Sequence, residues 1–124
     1  LERYIDVVSL GWGADPVPLL AYHRAVLDAD DPRCQCFLAI RDGLPAGGAA
    51  LWIFPRSVYL LGAVVLPAHR SRGVYRSLLA ARLRHAAAAG IGLVTTQARV
   101  GTSAPILARL GFDRLCELPV FFNR

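Results

Sequence analysis

With 124 residues, 55% hydrophobic and 19% charged, the chain is one domain with a sizeable core, too small for two and too apolar to stay disordered. No apolar run reaches the roughly 18 residues of a membrane span, and the start has neither the basic flank nor the cleavage pattern of a signal peptide, so a cytoplasmic chain with no membrane partner is expected. The net charge of +5 comes from 14 arginines against 9 carboxylates. No Asp or Glu lies between Gly43 and Phe112, where eight of the arginines fall, so the middle of the chain is built to meet an anion.

In chain order, Tyr4, Ile5 and Val8 share one side of a helical segment over 1–10 that Gly11 to Gly13 should stop. Because the sequence begins at Leu1 rather than Met, something upstream is expected. Asp15 followed by Pro16 is a cap-then-proline helix start. Leu19, Leu20, His23, Val26 and Leu27 then recur at helical spacing until Asp30, Asp31 and Pro32. His23 on that stripe reads as a core or cleft-lining histidine.

Beyond Pro32 the pattern changes to short apolar runs. Cys36 to Ile40 and Ala49 to Phe54, joined across Arg41-Asp42-Gly43, read as a hairpin, and after Pro55-Arg56-Ser57 the run Val58 to Leu66 reads as a strand buried on both faces. Cys34, Cys36 and Cys116 fit neither zinc spacing nor a disulfide framework. Cys34 and Cys36, one residue apart in a strand, are expected to face opposite ways and to stay reduced.

Arg72 to Ala89 carries Tyr75, Leu78, Leu79, Leu83 and Ala86 at helical intervals and stops at Gly90. Gly92 to Ala98 is rich in β-branched residues and reads as a strand, which a right-handed crossover makes a parallel neighbour of 58–66. Thr102 or Ser103 should cap a short helix over Pro105 to Leu110, closed by Gly111, with Phe112 to Phe122 as the last strand. The all-arginine basic set and 19 alanines are the bias of a GC-rich bacterial genome.

The junction between the strand ending at Leu66 and the helix beginning near Arg72 is where chemistry is expected. A helix N-terminus exposes about four backbone N–H groups without internal partners and about half a positive charge from its dipole. Arg70, Arg72 and Arg76 add formal charge there, and Gly73 lets a phosphate approach the backbone with no Cβ in the way.

The run Val65-Leu66-Pro67 followed by Arg70-Ser71-Arg72-Gly73-Val74-Tyr75 is similar to the motif of the GNAT superfamily of N-acetyltransferases. There, Arg or Gln, two residues, Gly, one residue and a Gly or Ala follow a strand ending in Val-x-Pro. Leu107-Ala108-Arg109-Leu110-Gly111-Phe112 resembles the same family's late helix ending in Leu-Gly-Phe. The resemblance implies the mixed α/β acyl-CoA N-acyltransferase fold, with a mostly antiparallel sheet flanked by helices and splayed between two parallel central strands, here those ending at Leu66 and Ala98. Residues 1–124 would form one such domain lacking the family's N-terminal strand. It also implies acetyl-CoA, or another acyl-CoA, as cosubstrate and no metal. The pyrophosphate would lie against Arg70, Ser71, Arg72, Gly73, Val74, Tyr75 and Arg76, and the pantetheine arm and acyl carbonyl along the backbone of Ala63, Val64 and Val65.

The departures bear on mechanism. Tyr75 stands where the motif has a small residue. Leu107 stands where many members place a tyrosine acid, and Val100 where they place an asparagine. The family's frequent carboxylate base has no counterpart between Gly43 and Phe112. No acid and base pair is visible, and Ser103, four residues before Leu107, is the one candidate to approach the thiol. Trp12, Trp52, Phe54 and Tyr59 are candidates for an acceptor pocket or for core, Gln97 and Arg99 for acceptor contacts, and His69 for a loop surface or a base near the cofactor.

The resemblance implies acetyl transfer to a primary amine, on a small molecule or a protein, by direct attack in a ternary complex. The alternative is a catalytically degenerate acyl-CoA-binding or packing module of a tandem protein, and a homodimer or attached second domain fits either. Nucleic acid is not an expected partner, because the arginine face lacks lysines, an aromatic stacking pattern and a binding motif.

Overall fold

The computed structural model describes residues 1–121. Helix α1 (Glu2–Trp12) ends at Gly13, whose left-handed backbone returns its amide to the Ser9 carbonyl. Helix α2 (Pro16–Leu27) starts where the sequence placed it, with Val17 N–H donating to Asp15 Oδ1 at 2.9 Å. His23 is a core residue: its ring bonds the Leu19 carbonyl through Nδ1 and meets Tyr4 and Tyr22 edge-on.

Strands β1 (Cys34–Arg41), β2 (Leu44–Ile53) and β3 (Val58–Val65) form an antiparallel meander in the order β1-β2-β3. Asp42 and Gly43 both have positive φ, 52° and 75°, which suits the twist of a tight hairpin. Strand β2 begins five residues earlier than its apolar run, because it enters through Pro45, Gly47 and Gly48. Small residues are needed there: a Cβ at Gly48 would come within 2.9 Å of Val8 Cγ1, and one at Gly47 within 2.6 Å of the Val64 carbonyl.

The sheet carries helices on both faces. Tyr4, Ile5, Val7 and Val8 of α1 pack with Cys34, Cys36, Ala50 and Val64 on one side. Leu78 and Leu79 of the next long helix, α3 (Val74–Ala88), pack with Ala49, Leu51 and Leu60 on the other. Cys34 and Cys36 therefore share a face, contrary to the opposite faces expected. With only Gln35 between them they are two residues apart, one full period of a strand.

Strand β4 (Val94–Thr96) runs parallel to β3 as expected but is shorter than 92–98. It pairs only Val58↔Val94, Tyr59↔Thr95 and Leu60↔Thr96. Thr96 Oγ1 donates to the Leu60 carbonyl at 3.0 Å, and beyond that bond the two strands part. Helix α4 (Ser103–Arg109) follows, with Leu107 buried against α3. The last strand expected over Phe112 to Phe122 is absent over 112–121, and Phe122 lies outside the described residues. Phe112 still packs in the core, but Leu115, Leu118, Val120 and Phe121 are exposed, because a β4 of three residues gives them little edge to join. Among the described residues no helix is long and apolar enough to cross a membrane.

Candidate functional site

The phosphate-loop candidates lie between β3 and α3. A 3-10 turn over Pro67–His69 and a tight turn over residues 70–73 carry the chain from strand to helix. The helix starts at Val74 rather than Arg72, because Gly73 takes the cap position with φ 77°. Ser71 is also left-handed, at φ 58°. Left-handed residues on either side of Arg72 turn successive amides toward one side, the backbone arrangement of an anion nest.

The first helical bond in this turn runs from Ser77 N–H to the Gly73 carbonyl, so the amides of Val74, Tyr75 and Arg76 have no partner within the helix. No side chain caps them. Nothing lies within 4 Å of where a Cβ on Gly73 would sit. Exposed Arg70, Arg72 and Arg76 surround that space, and none of them forms an ion pair among the described residues. An open concavity with free amides and unpaired guanidinium groups fits a diphosphate.

Tyr75, the mismatch to the motif, points elsewhere. Its ring packs against the Leu51, Val58, Leu60 and Leu79 cluster, and burial raises its phenol above the ordinary range. Its amide stays in the first turn, so the substitution leaves the anion site open.

Ala63, Val64 and Val65 lead directly into this loop. Toward β2 they pair with Ala49, Gly48 and Gly47. Toward β4 they have no strand partner, since pairing stops at Leu60↔Thr96. The far edge of β3 therefore borders a gap between two parallel strands, the splay expected from the sequence. Arg70 Nε reaches back to the Val65 carbonyl at 3.3 Å, linking the loop to this edge.

Within the same edge Gly62 is an inserted residue. The register passes from Ala49↔Ala63 to Ala50↔Leu61, leaving Gly62 unpaired with φ 38°. The bulge resets the alternation: Leu60, Ala63 and Val65 face α3, while Leu61 and Val64 face α1. Trp12, half-exposed at the end of α1, covers Gly62, where a Cβ would meet its Cη2 and Cζ2 at 2.7 Å. Of the four aromatic candidates, Trp52 packs beside the α1 core, Phe54 is exposed beyond β2 and Tyr59 is half-buried opposite Trp52. Trp12 is the one set against the bulge.

The acid and base candidates fare less well. Ser103 Oγ accepts from the Arg99 amide at 3.2 Å, which folds the loop after β4 instead of capping α4. Thr102 holds the cap position without a side-chain bond. Leu107 is buried, Val100 and Gln97 are exposed, and His69 is half-buried with a buried Nδ1 that has no partner. No group of three His, Cys, Asp or Glu fit for a metal occurs among the described residues.

Two polar clusters escaped the sequence reading. Arg82, 2% exposed, donates from Nε to the Leu78 carbonyl and from Nη1 to the Ala50 carbonyl, and burial lowers its affinity for its proton. On the opposite face, the Cys34 thiol donates to Cys36 and pulls its pKa down, burial opposes this, and the Tyr4 hydroxyl adds to the lowering. Cys34 is pushed up by the same bond and by burial. Cys36 and Tyr4 also line a cavity of about 410 Å³ at the start of α1, the opposite end of that helix from Trp12.

The acetyltransferase (GNAT) family profile matches residues 5–112. Among curated proteins none matches significantly. Among solved structures, the aminoglycoside N-acetyltransferase AAC(6')-Iy with the bisubstrate analogue CoA-S-monomethyl-acetylneamine is 26% identical with a TM-score of 0.82, covering 99% of this chain and 90% of that one. The same enzyme with CoA is 25% identical with a TM-score of 0.74, covering 100% and 92%. The apo 6'-N-acetyltransferase AAC(6')-IG from Acinetobacter haemolyticus, 18% identical with a TM-score of 0.78 and covering 99% and 91%, shares the fold.

Proposed function

The chain belongs to the acetyltransferase (GNAT) family, and on that premise we propose that residues 1–124 act as a single domain that moves an acetyl group from acetyl-CoA to a primary amine. The observation that carries this reading is the open, left-handed Gly73 turn at the N-terminus of α3, placed at the end of a β3 edge that has lost its parallel partner. Amides of residues 73–76 with Arg70, Arg72 and Arg76 would hold the pyrophosphate, and the free edge of Ala63, Val64 and Val65 the pantetheine arm. Neighbours whose structures contain CoA or a CoA-based bisubstrate analogue support the cosubstrate. The cosubstrate supplies a thioester.

In the proposed reaction the neutral amine nitrogen bonds to the acetyl carbonyl carbon, the C–S bond breaks, and the sulfur leaves as CoA thiol with the proton the amine gives up. The chain offers positioning and amide dipoles for this step, since Leu107 and Val100 are apolar and residues 43–112 hold no carboxylate. Use of acetyl-CoA would place the reaction in the cytoplasm. The same missing acid and base favour a second reading, a module that binds acyl-CoA without turning it over. Thiol release from acetyl-CoA across a panel of primary amines separates the two: release above the uncatalysed background supports transfer, and confirmed cofactor binding with no release for any amine supports the module.

A further inference from the structure

We propose that the acceptor is an amine with at most one positive charge on a flat apolar skeleton, seated on the exposed face of Trp12, rather than a polycation. The inference rests on the acetyl-transfer reading above and adds the substrate class. Two independent observations carry it.

The first is charge. Recognition of several ammonium groups in one ligand needs carboxylates around it. Residues 43–112, which supply β2, β3, β4, the phosphate loop, α3 and α4, contain none. Near Trp12 the chain offers Asp15, which already caps α2, while exposed Asp6, Asp28, Asp30 and Asp113 form no ion pair among the described residues and lie outside the strands and loop that border the gap. Glu2, Asp31 and Glu117 are paired with Arg24, Arg33 and Arg114, and Asp42 lies beside Arg41. The gap between β3 and β4 is flanked instead by Arg70, Arg72 and Arg76 on one side and Arg99 on the other. With the pyrophosphate on Arg70, Arg72 and Arg76, Arg99 is the guanidinium left beside the gap, and residues 43–112 give a polycation no carboxylate there.

The second is the platform. Trp12 is 48% exposed yet held in place by contact with Gly62, at the bulge beside the point where β3 and β4 part. A large aromatic face fixed next to a reaction cleft seats a flat apolar group at little ordering cost. The unsubstituted Gly62 lets the indole come this close to the strand backbone.

The chain has two tryptophans, so Trp52→Phe leaves Trp12 as the sole indole reporter. In the presence of saturating CoA, 2-phenylethylamine is expected to change Trp12 emission saturably, and neamine to need at least about tenfold more ligand. With acetyl-CoA and 2-phenylethylamine, Trp12→Ala should raise KM about tenfold with a smaller change in kcat, and Trp12→Phe should keep most of the wild-type value. Tighter binding or faster acetylation of neamine, or a Trp12→Ala variant with unchanged KM, overturns the proposal. Calorimetry with acetyl-CoA on the same preparation is the separate control: its failure removes the acetyl-transfer reading itself, whereas cofactor binding with a neamine preference removes only the acceptor class.

Discussion

The buried guanidinium of Arg82 donates from Nη1 to the Ala50 carbonyl over 3.3 Å, at the position in β2 where the pairing with β3 is interrupted. An arginine on α3 thus satisfies a carbonyl beside the Gly62 bulge, with no carboxylate near it. Arg82→Ala leaves that carbonyl unpaired and opens a cavity, so urea unfolding should show a loss of about 3 kcal/mol. Arg82→Met fills the volume and removes a buried charge, so its loss should be smaller, about 1 kcal/mol. Both variants remove the bond to Ala50, so equal losses would mean that the volume of the side chain contributes nothing.

Gly62 and Trp12 should be energetically coupled. Gly62→Ala places a methyl 2.7 Å from the indole and a side chain at φ 38°. Stability should fall by about 2 kcal/mol in the wild type and by about 1 kcal/mol in a Trp12→Ala background, where only the backbone strain remains. A double-mutant cycle by chemical denaturation reads the difference, and additive losses would show that the indole does not rest on the bulge.

Cys36 has its thiol pKa lowered by bonds from Cys34 and Tyr4, against burial. A lowered pKa means more thiolate at a given pH, so removing a donor should reduce it. Tyr4→Phe is therefore expected to slow iodoacetamide labelling of Cys36 at pH 8 by roughly two- to fivefold, followed by peptide mass mapping. Exposed Cys116 serves as the internal reference and should not change. Faster labelling of Cys36 in the variant would show that the phenol acts only as a steric cover.

Much of this architecture was legible because local signals agreed with tertiary ones. Asp15 and Pro16 start α2, Asp42 and Gly43 turn the hairpin, and the apolar run from Val58 forms β3 within one residue of its expected end. The Arg70 to Arg76 loop also sits at the helix N-terminus where it was expected, and the left-handed backbone of Gly73 is what the structure adds. What stayed hidden depended on contacts between distant residues. An arginine in a helix reads as solvated, and only the packing of α3 on β2 shows Arg82 beneath the sheet. Gly47 and Gly48 weaken the strand signal of β2, although the closeness of Val8 and of the Val64 carbonyl requires them. The strand expected from Phe112 does not form over the described residues, where a β4 of three residues offers little edge to pair with. The faces of Cys34 and Cys36 were open to the sequence all along, since an interval of two residues fixes them on one side.

The most direct test of the account is calorimetric titration of acetyl-CoA into the wild-type chain and into Gly73→Glu. Gly73 is exposed with open space above it, but its φ of 77° strains any side chain, so the glutamate should lower stability by about 1 kcal/mol, keep the folded circular dichroism spectrum and set a carboxylate in the phosphate position. Saturable one-to-one binding is expected in the wild type, weakened at least about a hundredfold in the variant. No heat from the wild type at millimolar acetyl-CoA, or equal binding by the two proteins, would contradict it.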